Sequence, residues 1–159
     1  MQNDHVRLRP TETADLERLF QFQLDKEACY LAAFMPADHA NQEAYRAKYT
    51  RFLLDPGIHM QTILLGETIV GSIARFMREG DAEITYWIDR SRWGQGVATT
   101  AVRQFLALET TRPIFGRVVS DNVGSRKVLE NCGFVQIGTD RGFANARQTE
   151  VEEYIYRLA

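Results

Sequence analysis

Residues 83–99 constrain the fold more than any other stretch of the chain. From Glu83 to Ile88 the side chains alternate as in a β-strand. Glu83, Thr85 and Trp87 fall on one face, and Ile84, Tyr86 and Ile88 on the other. The stretch then turns through Trp93, Gly94, Gln95 and Gly96 and opens a helix at Val97, Ala98 and Thr99. A helix start leaves its first N–H groups without partners, and the helix dipole adds positive potential there. Such an end seats a phosphate, and glycines let the phosphate approach the backbone closely. Taken alone, Gly94-x-Gly96 also reads as a tight strand-to-helix connection with no ligand. A P-loop needs a lysine after its second glycine, and none follows here. A dinucleotide fingerprint needs a third glycine, and Thr99 stands in that place.

The elements around this turn come from periodicity and from turn residues. His5 to Arg9 alternates and reads as a strand. Thr11 and Thr13 are placed to cap a helix bearing Leu16, Leu19, Phe20 and Leu24, with Asp15 and Glu17 in its first turn. Asn41 to Leu54 reads as a second helix, with Tyr45, Tyr49, Phe52 and Leu53 on one side and Asp55-Pro56-Gly57 as its stop. Met60 to Leu65 and Ile69 to Met77 flank Gly66-Glu67, a pair suited to a type II′ hairpin. A second turn at 78–81 leads to a strand over Ala82 to Asp89, which makes this section an antiparallel meander. Val97 to Glu109 reads as a helix, Ile114 to Val119 as a strand and Asn122 to Cys132 as a short helix stopped by Gly133. Phe134 to Gly138 and Glu150 to Leu158 read as closing strands. That order implies an α+β domain, one mixed sheet with helices on both faces.

With 159 residues the chain reads as a single domain over 1–159. Hydrophobic residues are 45% and charged residues 25%, which excludes a coiled coil, a collagen or a disordered chain. A net charge of −2 argues against a protein that lives by neutralising nucleic-acid phosphates. No apolar run is long enough for a membrane span or an export signal, so the expected location is the cytoplasm, with neither nucleic acid nor membrane as partner. Cys29 and Cys132 form no Cys/His cluster, so no metal is expected, and their pairing is left open.

The second informative stretch is residues 121–134, just past the strand that follows the glycine turn. Asn122 and Ser125 open a helix that ends at Gly133-Phe134. Here the sequence resembles the GNAT superfamily of acyl-CoA-dependent N-acetyltransferases, and within it the branch of ribosomal-protein N-terminal acetyltransferases. That family's glycine loop reads Arg/Gln-x-x-Gly-x-Gly/Ala. Trp93, Gly96 and Ala98 occupy those positions, so Trp93 replaces the usual Arg or Gln. Its later pattern is Asn, Ser or Ala three residues on, then Gly-Phe; Asn122, Ser125 and Gly133-Phe134 match it. The likeness follows element order over about residues 5–158 and is sharp only over 83–99 and 121–134.

The resemblance implies a mostly antiparallel sheet with one splayed parallel pair, and acetyl-CoA lying in the gap. The pantetheine arm is expected along the backbone at Trp87 and Ile88, and the pyrophosphate on amides of Gly94, Gln95, Gly96, Val97, Ala98 and Thr99, beside Trp93. Asn122 is expected near the pantetheine or the sulfur, although Asn also suits a helix cap. The implied reaction is direct attack of a primary amine, a protein N-terminus or a small molecule, on the thioester in a ternary complex. The N–H near Ile88 would stabilise the thioester oxygen. Many members supply a tyrosine acid four residues before the Gly of Gly-Phe, but Leu129 stands there. The resemblance then offers Ser125, as a hydrogen bond to the sulfur or a relay, against a role as cap. Glu83 is the candidate base through water, against a structural carboxylate.

Phe34 and Met35, between the first two helices, lie where the family builds its acceptor pocket, against plain packing under a loop. Asp38 or Glu43 could draw in a cationic amine. His5, His39 and His59 have no partner at ligand spacing and read as structural or surface residues. Arg126 and Lys127 read as a solvated helix face, with contact to the coenzyme's 3′-phosphate as the alternative. A monomer or homodimer is expected. Two rivals stay open: a non-catalytic acyl-CoA sensor on the same fold, and a nucleotide-dependent oxidoreductase.

Overall fold

A computed structural model describes residues 5–159. Strands β1 (Val6–Pro10), β2 (His59–Leu65), β3 (Thr68–Arg78), β4 (Asp81–Ile88), β5 (Ile114–Val119), β6 (Val135–Ala144) and β7 (Thr149–Leu158) form one sheet in the order β1-β2-β3-β4-β5-β7-β6. The helices are α1 (Leu16–Phe22), α2 (Lys26–Ala32), α3 (Gln42–Leu54), α4 (Val97–Leu108) and α5 (Val123–Asn131). The expected mixed sheet and both-face helices are therefore present. On one face Val97, Ala101, Val102 and Phe105 of α4 and Leu129 of α5 pack on Ile63, Ile73, Ile84 and Ile88. On the other, Leu16, Leu19, Phe20 and Phe22 of α1 and Tyr45 of α3 cover Met60, with Ala74 and Trp87 beside them.

Turn chemistry sets the meander. Gly66 has φ 63° in the two-residue turn between β2 and β3, as the expected hairpin requires. Glu79 and Gly80 both have positive φ in the next turn, the pattern of a type I′ hairpin. Every sheet pairing is antiparallel except that of β4 with β5. That parallel pairing covers only Ala82 with Ile114, Glu83 with Phe115 and Ile84 with Gly116. Beyond it β4 stays on β3 as far as Ile88, while β5 stays on β7 as far as Val119. The sheet thus opens as a wedge from Thr85 and Arg117 onward.

Several expectations need correction. Thr11 and Thr13 do not cap α1. Residues 13–15 form a short 3-10 turn, and the Asp15 carboxylate accepts from the Glu12 N–H at 2.9 Å while holding Arg9 at 2.7 and 2.8 Å. Thr11 Oγ1 instead lies 2.9 Å from Thr62 Oγ1. α1 ends at Phe22 and a separate helix, α2, follows; its seven residues are too few to show a period. β6 runs to Ala144 rather than Gly138, because its edge position leaves both faces largely exposed and so without alternation. Asn41 caps α3 by accepting from Ala44 N–H, and Gly133 takes φ 93° after α5, both as expected.

Candidate active site

Two cavities flank the wedge. The smaller, about 570 Å³, lies between the end of β4 and the starts of α4 and α5. Gly94 and Gly96 border it with φ 76° and 78°, a region that disfavours side chains. A Cβ at either would meet no protein atom within 4 Å, so the space beside them is open. Gly96 is the N-cap of α4, so the N–H groups of Val97, Ala98 and Thr99 lack carbonyls one turn back. All three residues line the cavity. Its charged walls are Arg92 and Lys127, with no carboxylate among them, so its potential favours an anion. A glycine cradle, a helix start and two cations fit a pyrophosphate on an extended thiol arm.

Neighbouring residues have clear structural duties. Trp93 donates its indole N–H to the Ile88 carbonyl at 3.0 Å, closing the loop onto the end of β4. Gln95 turns its side chain back, its Nε2 donating to the Ser91 carbonyl at 3.3 Å. Asp89 N–H donates to Val70 carbonyl at 2.7 Å, and with the β3–β4 register this fixes which backbone groups face the gap. Antiparallel alternation turns Trp87 toward β3 and Tyr86 and Ile88 toward the gap. The same geometry explains Gly71: a Cβ there would lie 2.1 Å from the Trp87 carbonyl oxygen. Trp87 therefore turns its backbone away from the gap, against the expected pantetheine contact there, while Ile88 offers its N–H, its carbonyl being taken by Trp93.

The larger cavity, about 780 Å³, lies on the α1–α3 side of the wedge. Phe34, Met35 and Asp38 line it, whereas Glu43 does not. The loop bearing Phe34 is tightly held. Ala33 has φ 66° and ψ −56°, and Phe34 N–H donates to the Ala32 carbonyl at 2.8 Å, a strained γ-turn. Asn145 grips the Met35 carbonyl, and Ala146 N–H the Ala33 carbonyl, both from the β6–β7 turn. Strain of this kind persists only where its surroundings impose it.

Glu83 is 6% exposed and opens on the larger cavity. Its carboxylate lies 3.5 Å from Arg117 and 3.8 Å from Arg78, and Arg117 also holds Glu153 and Asp140. Burial pushes its pKa up, against the opposing pull of the two arginines. Asp38, Glu83, Asp140 and Glu153 are balanced in this cavity by Lys48, Arg78, Arg117 and Arg141.

The two cavities share Leu31, Ala32, Tyr86, Trp87, Asn122 and Ser125. Asn122 is a helix cap, its Oδ1 accepting from Ser125 N–H at 3.3 Å, which leaves the amide Nδ2 for a ligand. Ser125 is not a cap: its Oγ lies 2.6 Å from the Tyr86 hydroxyl. Sequence reasoning missed Tyr86, since alternation alone only groups it with Ile84 and Ile88. It also passed over Arg92. Of the pair at 126 and 127, Arg126 is engaged by Tyr156 and the Ser120 carbonyl, and Lys127 faces the smaller cavity. His59 is structural, bonding Glu109 and Gln61.

Residues 5–135 match the family model described as acetyltransferase (GNAT) domain. The chain belongs to the GNAT acetyltransferase family. An uncharacterized N-acetyltransferase, p20, of Bacillus licheniformis is 26% identical over 169 residues, covering 99% of this chain and 94% of that protein. Among solved structures, a ribosomal L7/L12 alpha-N-protein acetyltransferase, RimL, in complex with coenzyme A superposes with a TM-score of 0.81 at 20% identity, covering 97% of this chain and 94% of that one. The spermidine N-acetyltransferase of Vibrio cholerae, in complex with CoA and spermine, gives 0.78 at 18%, covering 96% and 95%. At these identities the two structures establish the GNAT fold and nothing finer. No helix among the described residues is long and apolar enough to cross a membrane.

Proposed function

We propose that this GNAT chain transfers an acetyl group from acetyl-CoA to a primary amine by direct attack in a ternary complex. The observation that carries the reading is the meeting of two cavities of different character at one opening in the sheet. One has glycines, a helix start and cations as its only charged groups; the other has aromatic walls and four carboxylates balanced by four cations. A ligand thiol entering from the first side and an amine from the second would meet at Tyr86, Trp87, Asn122 and Ser125.

The residues then divide the work. Amides of Gly94 to Thr99, with Arg92 and Lys127, hold the phosphates. Ile88 N–H is aimed into the gap and stabilises the carbonyl oxygen as it gains charge. Bound acetyl-CoA supplies an activated acyl carbon. The amine nitrogen forms the new N–C bond, the C–S bond breaks with its electron pair going to sulfur, and one proton leaves the nitrogen. Glu83 accepts that proton through water, its burial making it a better base than an ordinary carboxylate. Ser125 faces the departing sulfur. Phe34 and Met35 shape the acceptor side. A monomer or homodimer in the cytoplasm is compatible with this chemistry.

The test is incubation with acetyl-CoA and a panel of N-terminal peptides, polyamines and small amines, reading thiol release and a mass gain of one acetyl group. Release with any amine supports the transferase. Binding of acetyl-CoA with no release across the panel favours an acyl-CoA sensor, and stabilisation by NAD but not by CoA overturns the reading.

A further inference from the structure

The family's tyrosine position holds Leu129, which is 1% exposed and packed where a Cβ on Gly116 would lie 2.9 Å from its Cδ1. No phenol can reach the gap from α5 there. A phenol does reach it from the opposite wall. Tyr86 on β4 places its hydroxyl 2.6 Å from Ser125 Oγ and 3.3 Å from the Ser125 carbonyl oxygen.

That geometry allows two hydrogen-bond arrangements. In the closed one, Ser125 donates to the phenol and the phenol donates to the Ser125 carbonyl, so neither proton is offered outward. In the open one, the phenol donates to Ser125 Oγ and the serine proton points away from Tyr86. Ser125 is fixed at the first turn of α5, because its own N–H is taken by Asn122 Oδ1. Both side chains line both cavities, so an outward serine proton faces the place where the cavities meet. An anion arriving there selects the open arrangement, and hydrogen bonds to an ionised acceptor are about twice as strong as neutral ones.

Resting on the acetyl-transfer reading above, we propose that Tyr86 is a positioning residue: it donates to Ser125 Oγ and thereby turns the serine proton onto the sulfur of coenzyme A as the thiolate departs. The pair stabilises the thiolate by hydrogen bonding and gives up no proton. Burial raises the Tyr86 phenol to about 12, well above a thiol's ordinary value of about 8.5, so transfer to sulfur would run uphill. The proton lost by the amine, not one from Tyr86, balances the reaction.

The test titrates the thiol of coenzyme A bound to the wild type, Tyr86→Phe, Ser125→Ala and the double variant. Thiolate absorbance is read against each protein loaded with desulfo-CoA, so that Cys29 and Cys132 cancel. Phenylalanine keeps the ring that packs on the core, and calorimetry gives the affinity for coenzyme A in each case. The expected result is a bound thiol about tenfold less acidic in Tyr86→Phe than in the wild type, a shift at least as large in Ser125→Ala, and no further shift in the double variant. Affinity for coenzyme A, measured well below the pKa of its thiol, stays within about twofold, because the serine proton bonds the thiolate and not the neutral thiol. A Tyr86→Phe complex that titrates as the wild type overturns the pair and leaves the transferase reading intact. So does a Ser125→Ala complex that titrates as the wild type while Tyr86→Phe shifts, since Tyr86 would then act without Ser125. A wild type that fails to bind coenzyme A brings down the transferase reading itself.

Discussion

Arg147 holds both carboxylate oxygens of Asp121, at 2.6 and 2.8 Å. The same guanidinium lies 4.0 Å from the Tyr30 ring centroid and donates from Nε to the Tyr30 carbonyl. One side chain therefore joins the end of β5, α2 and the β6–β7 turn, and the strained loop with Phe34 and Met35 hangs from that junction. We expect Arg147→Ala to raise the amine KM about three- to tenfold with kcat less affected, because misplaced positioning residues weaken substrate orientation. The Asp121 end is half exposed, so the stability loss is near 1 kcal/mol, a drop in Tm of about 2–4 °C. Steady-state kinetics with a fixed amine check this. An unchanged KM would detach the loop from the acceptor site.

Glu83 gives a prediction in pH. It accepts a proton only when ionised, and burial raises its pKa. Activity should therefore climb as pH rises through a value above the ordinary carboxylate range, and Glu83→Gln should both lower kcat, by about 100-fold, and remove that acidic limb. A variant that keeps the limb assigns it to another group.

Glu109 gives a prediction in acid stability. It closes α4 and accepts from His59 Nδ1 at 2.9 Å and Arg75 Nε at 3.0 Å. Burial opposes its charge, but the bonds from Thr111, His59 and Arg75 outweigh it and lower its pKa to about 2. The folded value lies below the unfolded one, so its contribution is present above about pH 4.5 and is lost as pH falls toward about 2. That contribution is at most about 3 kcal/mol. Denaturant midpoints measured from pH 6 to pH 2 should fall less steeply in Glu109→Gln than in the wild type.

The fold was legible where chemistry is local. The Gly66 turn, the Asn41 cap and the Gly133 stop each need particular residues at particular positions, and each stands where expected. The α1 cap was misread because Asp15, drawn in by Arg9 and Thr62, does the work assigned to Thr11 and Thr13. Such a cluster joins residues 47 apart and leaves no local pattern. The same limit hid Tyr86. Strand alternation groups its ring with Ile84 and Ile88, and only the folded chain brings its hydroxyl to Ser125, 39 residues away. The edge strand β6 was truncated because exposure on both faces erases the period that marks a strand.

Ser125 and Asn122 share a turn but carry different proposed roles. Ser125→Ala should lower kcat about tenfold while coenzyme A affinity changes less than twofold, since the hydroxyl meets the sulfur only as charge develops. Loss of affinity equal to the loss of rate would place Ser125 in ground-state binding instead.

We propose that the cradle formed by Gly94, Gly96 and the start of α4 holds the coenzyme's phosphates. Calorimetric titration of coenzyme A into the wild type and Gly96→Trp tests it most directly. Wild-type binding is expected in the range of about 1–100 µM, typical of enzyme substrates. No detectable heat is expected from a folded Gly96→Trp protein, whose indole would fill the open space beside residue 96. Equal affinity in the two proteins, or no wild-type binding at millimolar coenzyme A, would contradict it.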